Sequence, residues 1–195
     1  MTARPDEPHI GLIIEGAGDD SALPILLRRH LQDAGDYRDV LGKGIPIKGV
    51  SNATKVNGIE GYVAVAASRP GCLGILVVLD TDDSAPEEFE EALRDRLTGR
   101  VAQPVAVACA ERDYEDWLYA SAETLALDEI AYNEGARGAT AIGEAVKSQT
   151  GRAYTKPIWQ PRLTHRMDIN LARSRNSSLD KMLIEFNELL TTIPK

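Results

Sequence analysis

Cysteine is scarce in this chain, with two residues in 195, Cys72 and Cys109. They stand far apart, in or beside apolar runs. A disulfide framework is therefore excluded, and two buried structural thiols in a reducing compartment are expected. Long apolar runs are missing too, since no stretch approaches the roughly 20 residues that span a bilayer. The polar stretch Met1 to Pro8 lacks signal-peptide form. The expectation is a soluble cytoplasmic protein with no membrane partner. Repeats and low-complexity tracts are absent. Gly16-Ala17-Gly18 does not have the GxGxxG spacing and no Walker lysine follows it, which argues against NAD and direct ATP binding.

What is present suffices for one ordinary domain, because a hydrophobic content of 43% supports a full core. The net charge of −8 speaks against a general nucleic-acid binder. Its distribution is uneven: residues 1–146 hold 13 basic and 26 acidic residues, whereas 147–195 hold 9 and 4. Such asymmetry has two compatible readings. Either the basic segment meets a polyanionic partner, or it packs its cations against the acidic body.

The hydrophobic pattern alternates between strands and helices. Strands are expected at 9–15, 73–80 and 103–110, with a short one near 45–50. Pro46 confines that last one to a sheet edge. Helices are expected from Asp19 to Gly35, at 59–68 and at 86–97. After residue 114 strand signals stop, and helices are expected at 114–127, 140–149, 161–173 and 178–190. The pattern predicts an α/β fold with a mostly parallel, Rossmann-like sheet, helices on both faces and a C-terminal helical extension. An α/β domain over 1–135 and an extension over 136–195 would form a single folding unit.

Three apolar runs end in carboxylates. Ile10-Gly-Leu-Ile-Ile closes on Glu15-Gly16. Leu73 to Leu79 closes on Asp80-Thr81-Asp82-Asp83, and Pro104 to Ala110 is followed by Glu111, Asp113 and Glu115. In an open α/β sheet that end of the strands is the ligand edge. Carboxylates gathered there repel one another unless a cation sits among them. Asp80 and Asp82, two apart on an extended chain, face the same side and suit one hard cation. That leaves Glu15 as a general acid or base, or as a ligand to a second ion. The opposing reading is that strand-end acids cap helices or lie solvated in loops, and for Asp19, Asp20 and Asp83 it is preferred. A glutamate closing a buried strand is an awkward place for an idle charge, so for Glu15 that reading is weaker.

These motifs resemble the Toprim domain shared by topoisomerases, primases, OLD-family nucleases and small RNA-maturation nucleases. The resemblance rests on Ile13-Ile14-Glu15-Gly16, followed by a helix, and on Val78-Leu79-Asp80-Thr81-Asp82. Nearly the whole chain is similar to a Toprim-like bacterial family encoded beside AAA/ABC-type ATPases. That similarity adds Asp113-Tyr-Glu115-Asp-Trp117-Leu-Tyr-Ala120, Tyr154-x-Lys156 and the segment from Met167-Asp168 to Ser178.

The resemblance implies Mg²⁺- or Mn²⁺-dependent cleavage of phosphodiesters, in antiphage defence with an ATPase partner. Glu15, Asp80 and Asp82 would be catalytic, and Glu15, Asp80, Asp82, Asp113 and Glu115 would be metal-binding. Glu111 lies just outside the pattern. Nucleic acid would be held by Lys48, Lys55, Lys156, Arg162, His165, Arg166, Arg173, Arg175 and Lys181. The alternative is a non-catalytic regulatory partner of the ATPase. Trp117 is expected in the core. Trp159 and Tyr154, set among cations, are expected to pack rather than to stack on bases. His165 is read as a contact residue, and His30 and His9 as structural or incidental.

Overall fold

The computed structural model describes residues 6–81 and 86–194. Four strands form one all-parallel sheet: β1 (His9–Ile14), β2 (Ile45–Pro46), β3 (Cys72–Asp80) and β4 (Val105–Ala110). Their order is β2-β1-β3-β4. β1 is buried along its whole length and β3 nearly so, as expected where helices cover both faces of a sheet. Pro46 sits on the edge strand, where its missing N–H breaks no ladder. The chain leaves β1 for one edge of the sheet and returns at β3 on the other side of β1. The C-terminal ends of β1 and β3 therefore flank the topological switch point, the crevice where ligands bind in such sheets.

Alternate residues of each strand feed two separate cores. Ile10, Leu12 and Ile14 of β1, with Leu76 and Val78 of β3 and Ala108 and Ala110 of β4, face one side. There they meet α1 (Ala17–Asp33), α5 (Tyr114–Tyr119), α6 (Gly138–Thr150), α7 (Lys156–Thr164), α8 (Ile169–Arg175) and α9 (Ser177–Leu190). Ile13, Ile75, Val77, Leu79, Val107 and Cys109 face the other side. They pack on α2 (Val50–Thr54), α3 (Gly58–Ala67) and α4 (Pro86–Leu97). This period-two split follows from the pleat.

Both cysteines are buried free thiols. Trp117 is fully buried, and its indole N–H donates to Ser178 Oγ at 2.8 Å, as a buried tryptophan requires. Among the described residues no helix is long and apolar enough to cross a membrane.

Two expected helices differ from those observed. The helix expected over 114–127 stops at Tyr119 and gives way to a 3₁₀ turn at Ala122–Thr124. Arg175 Nη1 takes the Ala120 carbonyl, and Ala126 adopts a left-handed conformation with φ 53°, so the helical ladder cannot continue. The single helix expected over 161–173 is two, α7 and α8. Asp168 caps α8 by accepting from Leu171 N at 2.9 Å. Arg29 of α1 binds the carbonyls of Thr164 and Met167 at 2.5 and 2.8 Å, satisfying the end of α7 with a tertiary contact.

The C-terminal helices supply core. α9 lies on β3 and β4, and its Leu179, Met182, Leu183 and Phe186 are fully buried. It also guards the outer edge of β4. Glu90 Oε1 accepts from Cys109 N at 2.8 Å, and Arg94 donates to the Val107 carbonyl at 2.7 Å. Lys181 of α9 pairs with Glu90, and Glu185 of α9 pairs with Arg94 at 2.5 Å. Side chains thus fill the hydrogen-bonding positions that an added strand would use. Phe186→Ala is expected to cost about 3–5 kcal/mol of stability, the range for a buried aromatic truncation. Urea unfolding measures this, and a loss below about 1 kcal/mol would contradict a shared core.

Candidate functional site

Each strand-end carboxylate is placed by the element that carries it. Glu15 follows β1 directly and is half-buried. Its Oε2 accepts from the backbone N–H of Asp80 at 2.9 Å, which ties the ends of β1 and β3 together. Asp80 is the last residue of β3 and is 8% exposed. Thr81 stitches the same end to β4, its hydroxyl donating to the carbonyls of Ala110 and Glu111 at 2.9 and 2.6 Å. Asp113 is the N-cap of α5 and accepts from Asp116 N at 3.2 Å. Glu115, in the first turn of α5, is completely buried. Asp19, in the first turn of α1, reaches back to Gly16 N at 3.2 Å and is 6% exposed.

α7 closes the cluster from the other side. Lys156 Nζ lies 3.4 Å from Asp80 Oδ2 and 3.3 Å from Glu115 Oε2. One helical turn on, the Gln160 amide donates to Asp19 Oδ1 and to Glu115 Oε1, both at 3.1 Å. Tyr154, just before α7, donates its phenol O–H to Glu115 Oε1 at 2.6 Å. Arg137 Nε stands 3.9 Å from Asp113 Oδ2.

Burial and mutual repulsion both act on the carboxylates of the cluster. Burial, then repulsion from Asp19, Glu15 and Glu115, pushes the Asp80 pKa up to about 8, against the pull of Lys156. Burial and the neighbouring Glu115 and Asp116 raise Asp113 to about 6. Asp19 is also raised, chiefly by burial. Burial works to lower Lys156, but Glu115, Asp80 and Asp19 outweigh it and hold the ammonium charged.

The donor set fits a hard divalent cation. It is all oxygen, and Glu115 Oε2 is completely buried with no hydrogen-bond partner, only the ion pair to Lys156. Among the described residues no three His, Cys, Asp or Glu side chains stand close enough together to hold a metal ion, so the described carboxylates supply at most two ligands at one point.

Glu15, Asp80, Asp113 and Glu115 thus come to one edge, with Lys156 among them. Asp82 and Asp83 lie outside the described residues. Glu111 is exposed at the rim. Asp116 joins α5 to α6, bound by Arg112 Nε at 2.5 Å and by Gly138 N at 2.5 Å. Lys48 is exposed on a loop whose N–H groups at Lys48 and Gly49 bind the Glu15 carbonyl at 2.9 and 3.4 Å. Lys55 is exposed and donates to Asn52 Oδ1 at 2.7 Å.

The other expected contact residues differ in setting. Arg162 is exposed, its guanidinium 5.5 Å from the Trp159 ring centre, and His165 is exposed at the end of α7. Arg166 binds the carbonyls of Leu125 and Ala126 at 3.2 and 3.4 Å. Arg173 pairs with Asp180 at 2.5 Å, Arg175 with Glu123 at 2.8 Å, and Lys181 with Glu90.

Three members of the cluster were not legible as such. Asp19 read as a helix cap, Tyr154 read as a packing residue, and Gln160 carried no signal of its own. The one available sign was spacing: Lys156 and Gln160 are four apart on a helix opened by Pro157, so they share a face.

Comparison with protein-family models gives no match, and neither does a search of curated proteins. Among solved structures, the chain is similar to the C-terminal region of the OLD protein of Xanthomonas campestris pv. campestris. The identity is 12% and the TM-score 0.48, over 92% of this chain and 98% of that one. No residue's role is carried across from it.

A raised carboxylate pKa favours the folded state at low pH, and that advantage is lost as pH climbs through the folded value. Without divalent cation, Asp80→Asn is therefore expected to be more stable than wild type near pH 8. The difference should shrink towards the ordinary Asp value of 3.8, where both side chains are neutral. Melting temperatures across this range measure it. Equal stability of the two proteins near pH 8 would refute the raised Asp80 pKa.

Proposed function

We propose that this chain is a nuclease-like protein that cleaves phosphodiesters with the help of Mg²⁺ or Mn²⁺. One observation carries the reading: carboxylates from the ends of β1 and β3 and the start of α5 meet at the switch point, with Lys156 as the chain's own cation among them. A divalent cation held there supplies Lewis-acid polarisation of a phosphoryl oxygen. Asp80 and Glu115, which share Lys156, would hold it among the described residues, and the resemblance adds Asp82 and Asp113.

Glu15 is the half-exposed carboxylate of the group, fixed by the Asp80 N–H. It is suited to take or return a proton at the substrate. Lys156 is 46% exposed on its side chain and reaches from the cluster toward solvent. Its ammonium is placed to neutralise charge developing on a phosphodiester oxygen. The exposed cations Lys48, Lys55 and Arg162 support contact with a nucleic-acid backbone. The Toprim-like resemblance extends the proposal to antiphage defence beside an AAA/ABC-type ATPase.

A second reading, a non-catalytic partner of that ATPase, is favoured by two specific observations. Lys156 already pairs with Asp80 and Glu115. Arg173, Arg175 and Lys181 are engaged within the chain, which supports packing rather than nucleic-acid contact for the basic segment.

Labelled single- and double-stranded DNA and RNA, incubated with Mg²⁺ or Mn²⁺, separate the two. Glu15→Gln is expected to lower the cleavage rate by about 10²–10⁴-fold, the range for loss of a general acid or base. Removing the cation should abolish cleavage. A cleavage rate unchanged in the Glu15→Gln, Asp80→Asn double variant would exclude this site as the source of activity. In the same assay, Lys48→Ala and Arg162→Ala should weaken substrate binding and flatten its salt dependence. Arg173→Ala should lower stability and leave binding alone.

A further inference from the structure

Gln160 touches the carboxylate cluster but has no part in the chemistry above. Its side chain is completely buried. An amide nitrogen has two hydrogens, and here one goes to Asp19 Oδ1 and the other to Glu115 Oε1, each at 3.1 Å. Turned over, the amide would set its carbonyl oxygen against two carboxylate oxygens, so the neighbours fix its orientation. The carbonyl Oε1 has no hydrogen-bond partner although it is buried. An orphaned buried acceptor is costly, and the gain must lie at the other end of the amide.

Gly18, in the first turn of α1, explains how the amide fits. A Cβ there would stand 2.0 Å from Gln160 Oε1 and 2.8 Å from Lys156 Cβ. The glycine is required for space rather than for its backbone angles, because α7 closes directly over it.

We propose that Gln160 is a positioning residue of the cation site, tying Asp19 of α1 to Glu115 of α5 and fixing their spacing, and that Gly18 is the notch that admits it. This rests on the cation-site reading given above. The two carboxylates come from elements nearly 100 residues apart in sequence and repel each other. A neutral double donor holds them together without adding a second positive charge to that of Lys156. Fixed spacing matters unequally to different ions. Mg²⁺ and Mn²⁺ suit compact octahedral sites, and Ca²⁺ tolerates loose, irregular ones. Loosening the tie should therefore cost Mn²⁺ more than Ca²⁺.

The test is ion binding by the full chain, with Mn²⁺ followed by electron paramagnetic resonance and Ca²⁺ by calorimetry. Gln160→Met keeps the side chain's length and removes the donors, and circular dichroism checks that it folds. It should weaken Mn²⁺ binding by about 10-fold or more, as loss of an outer-shell partner does, with a smaller loss for Ca²⁺. Gly18→Ala should mimic it, and part of the Gly18→Ala effect should vanish in a Gln160→Ala background, the close approach to Lys156 Cβ accounting for what remains. Mn²⁺ binding unchanged in Gln160→Met, equal losses for both ions, or additive Gly18 and Gln160 effects would each overturn the proposal. Wild-type protein that binds neither ion would instead overturn the cation-site reading beneath it.

Discussion

Charge repulsion among buried carboxylates is the constraint on which the rest of this structure depends. Glu15, Asp19, Asp80, Asp113 and Glu115 are drawn to one edge of the sheet by elements whose own folding has little to do with charge. Strands β1 and β3 are buried because they are apolar, and their carboxylates arrive at the switch point as a by-product of strand length. The chain answers with the Lys156 ammonium, the backbone N–H groups of Gly16, Asp80 and Asp116, the Tyr154 phenol and the Gln160 amide. Burial first, and the remaining repulsion after it, hold Asp80 up at about 8.

Apolar packing sets where the C-terminal third lies, and that packing brings its polar groups to the cluster. α7 packs along α1, and the contact brings Lys156, Gln160 and Tyr154 to the carboxylates together. α9 covers β3 and β4 and joins α4 around the sheet edge through the Lys181–Glu90 and Glu185–Arg94 pairs. The helices after residue 135 are thus a layer of the fold and one wall of the site. Of the two readings of the charge asymmetry, packing against the acidic body describes Arg175 and Lys181, whereas Arg173 pairs with Asp180 of its own segment and Lys156 serves the cluster itself.

Two devices at the site work by geometry rather than by charge. The Glu15 carboxylate accepts the Asp80 N–H, so a side chain ties the two strand ends together. Gly18 leaves room for Gln160, so the approach of α7 to α1 is set by the absence of a side chain. Neither residue type announces such a role, because each acts through a partner distant in the sequence.

The sequence by itself determined the parallel strands, their helices and the edge on which Glu15, Asp80, Asp113 and Glu115 would stand. Those features follow from local rules: apolar runs of strand length, period-two burial, and charge where a run ends. It determined the edge position of β2 through Pro46, and the burial of Cys72, Cys109 and Trp117 through their apolar surroundings. Only the tertiary structure decided that α5 would end at Tyr119 and that α7 and α8 would separate. Arg175 and Arg29 arrive from far along the chain to bind the carbonyls exposed there. Only it could turn Asp19 from a cap into a member of the site, and Tyr154 from packing into a donor to Glu115. The bond from Gln160 to Asp19 spans 141 residues, and no periodicity reaches that far. Periodicity reports which way a side chain faces, and the partner it meets there depends on how distant elements pack.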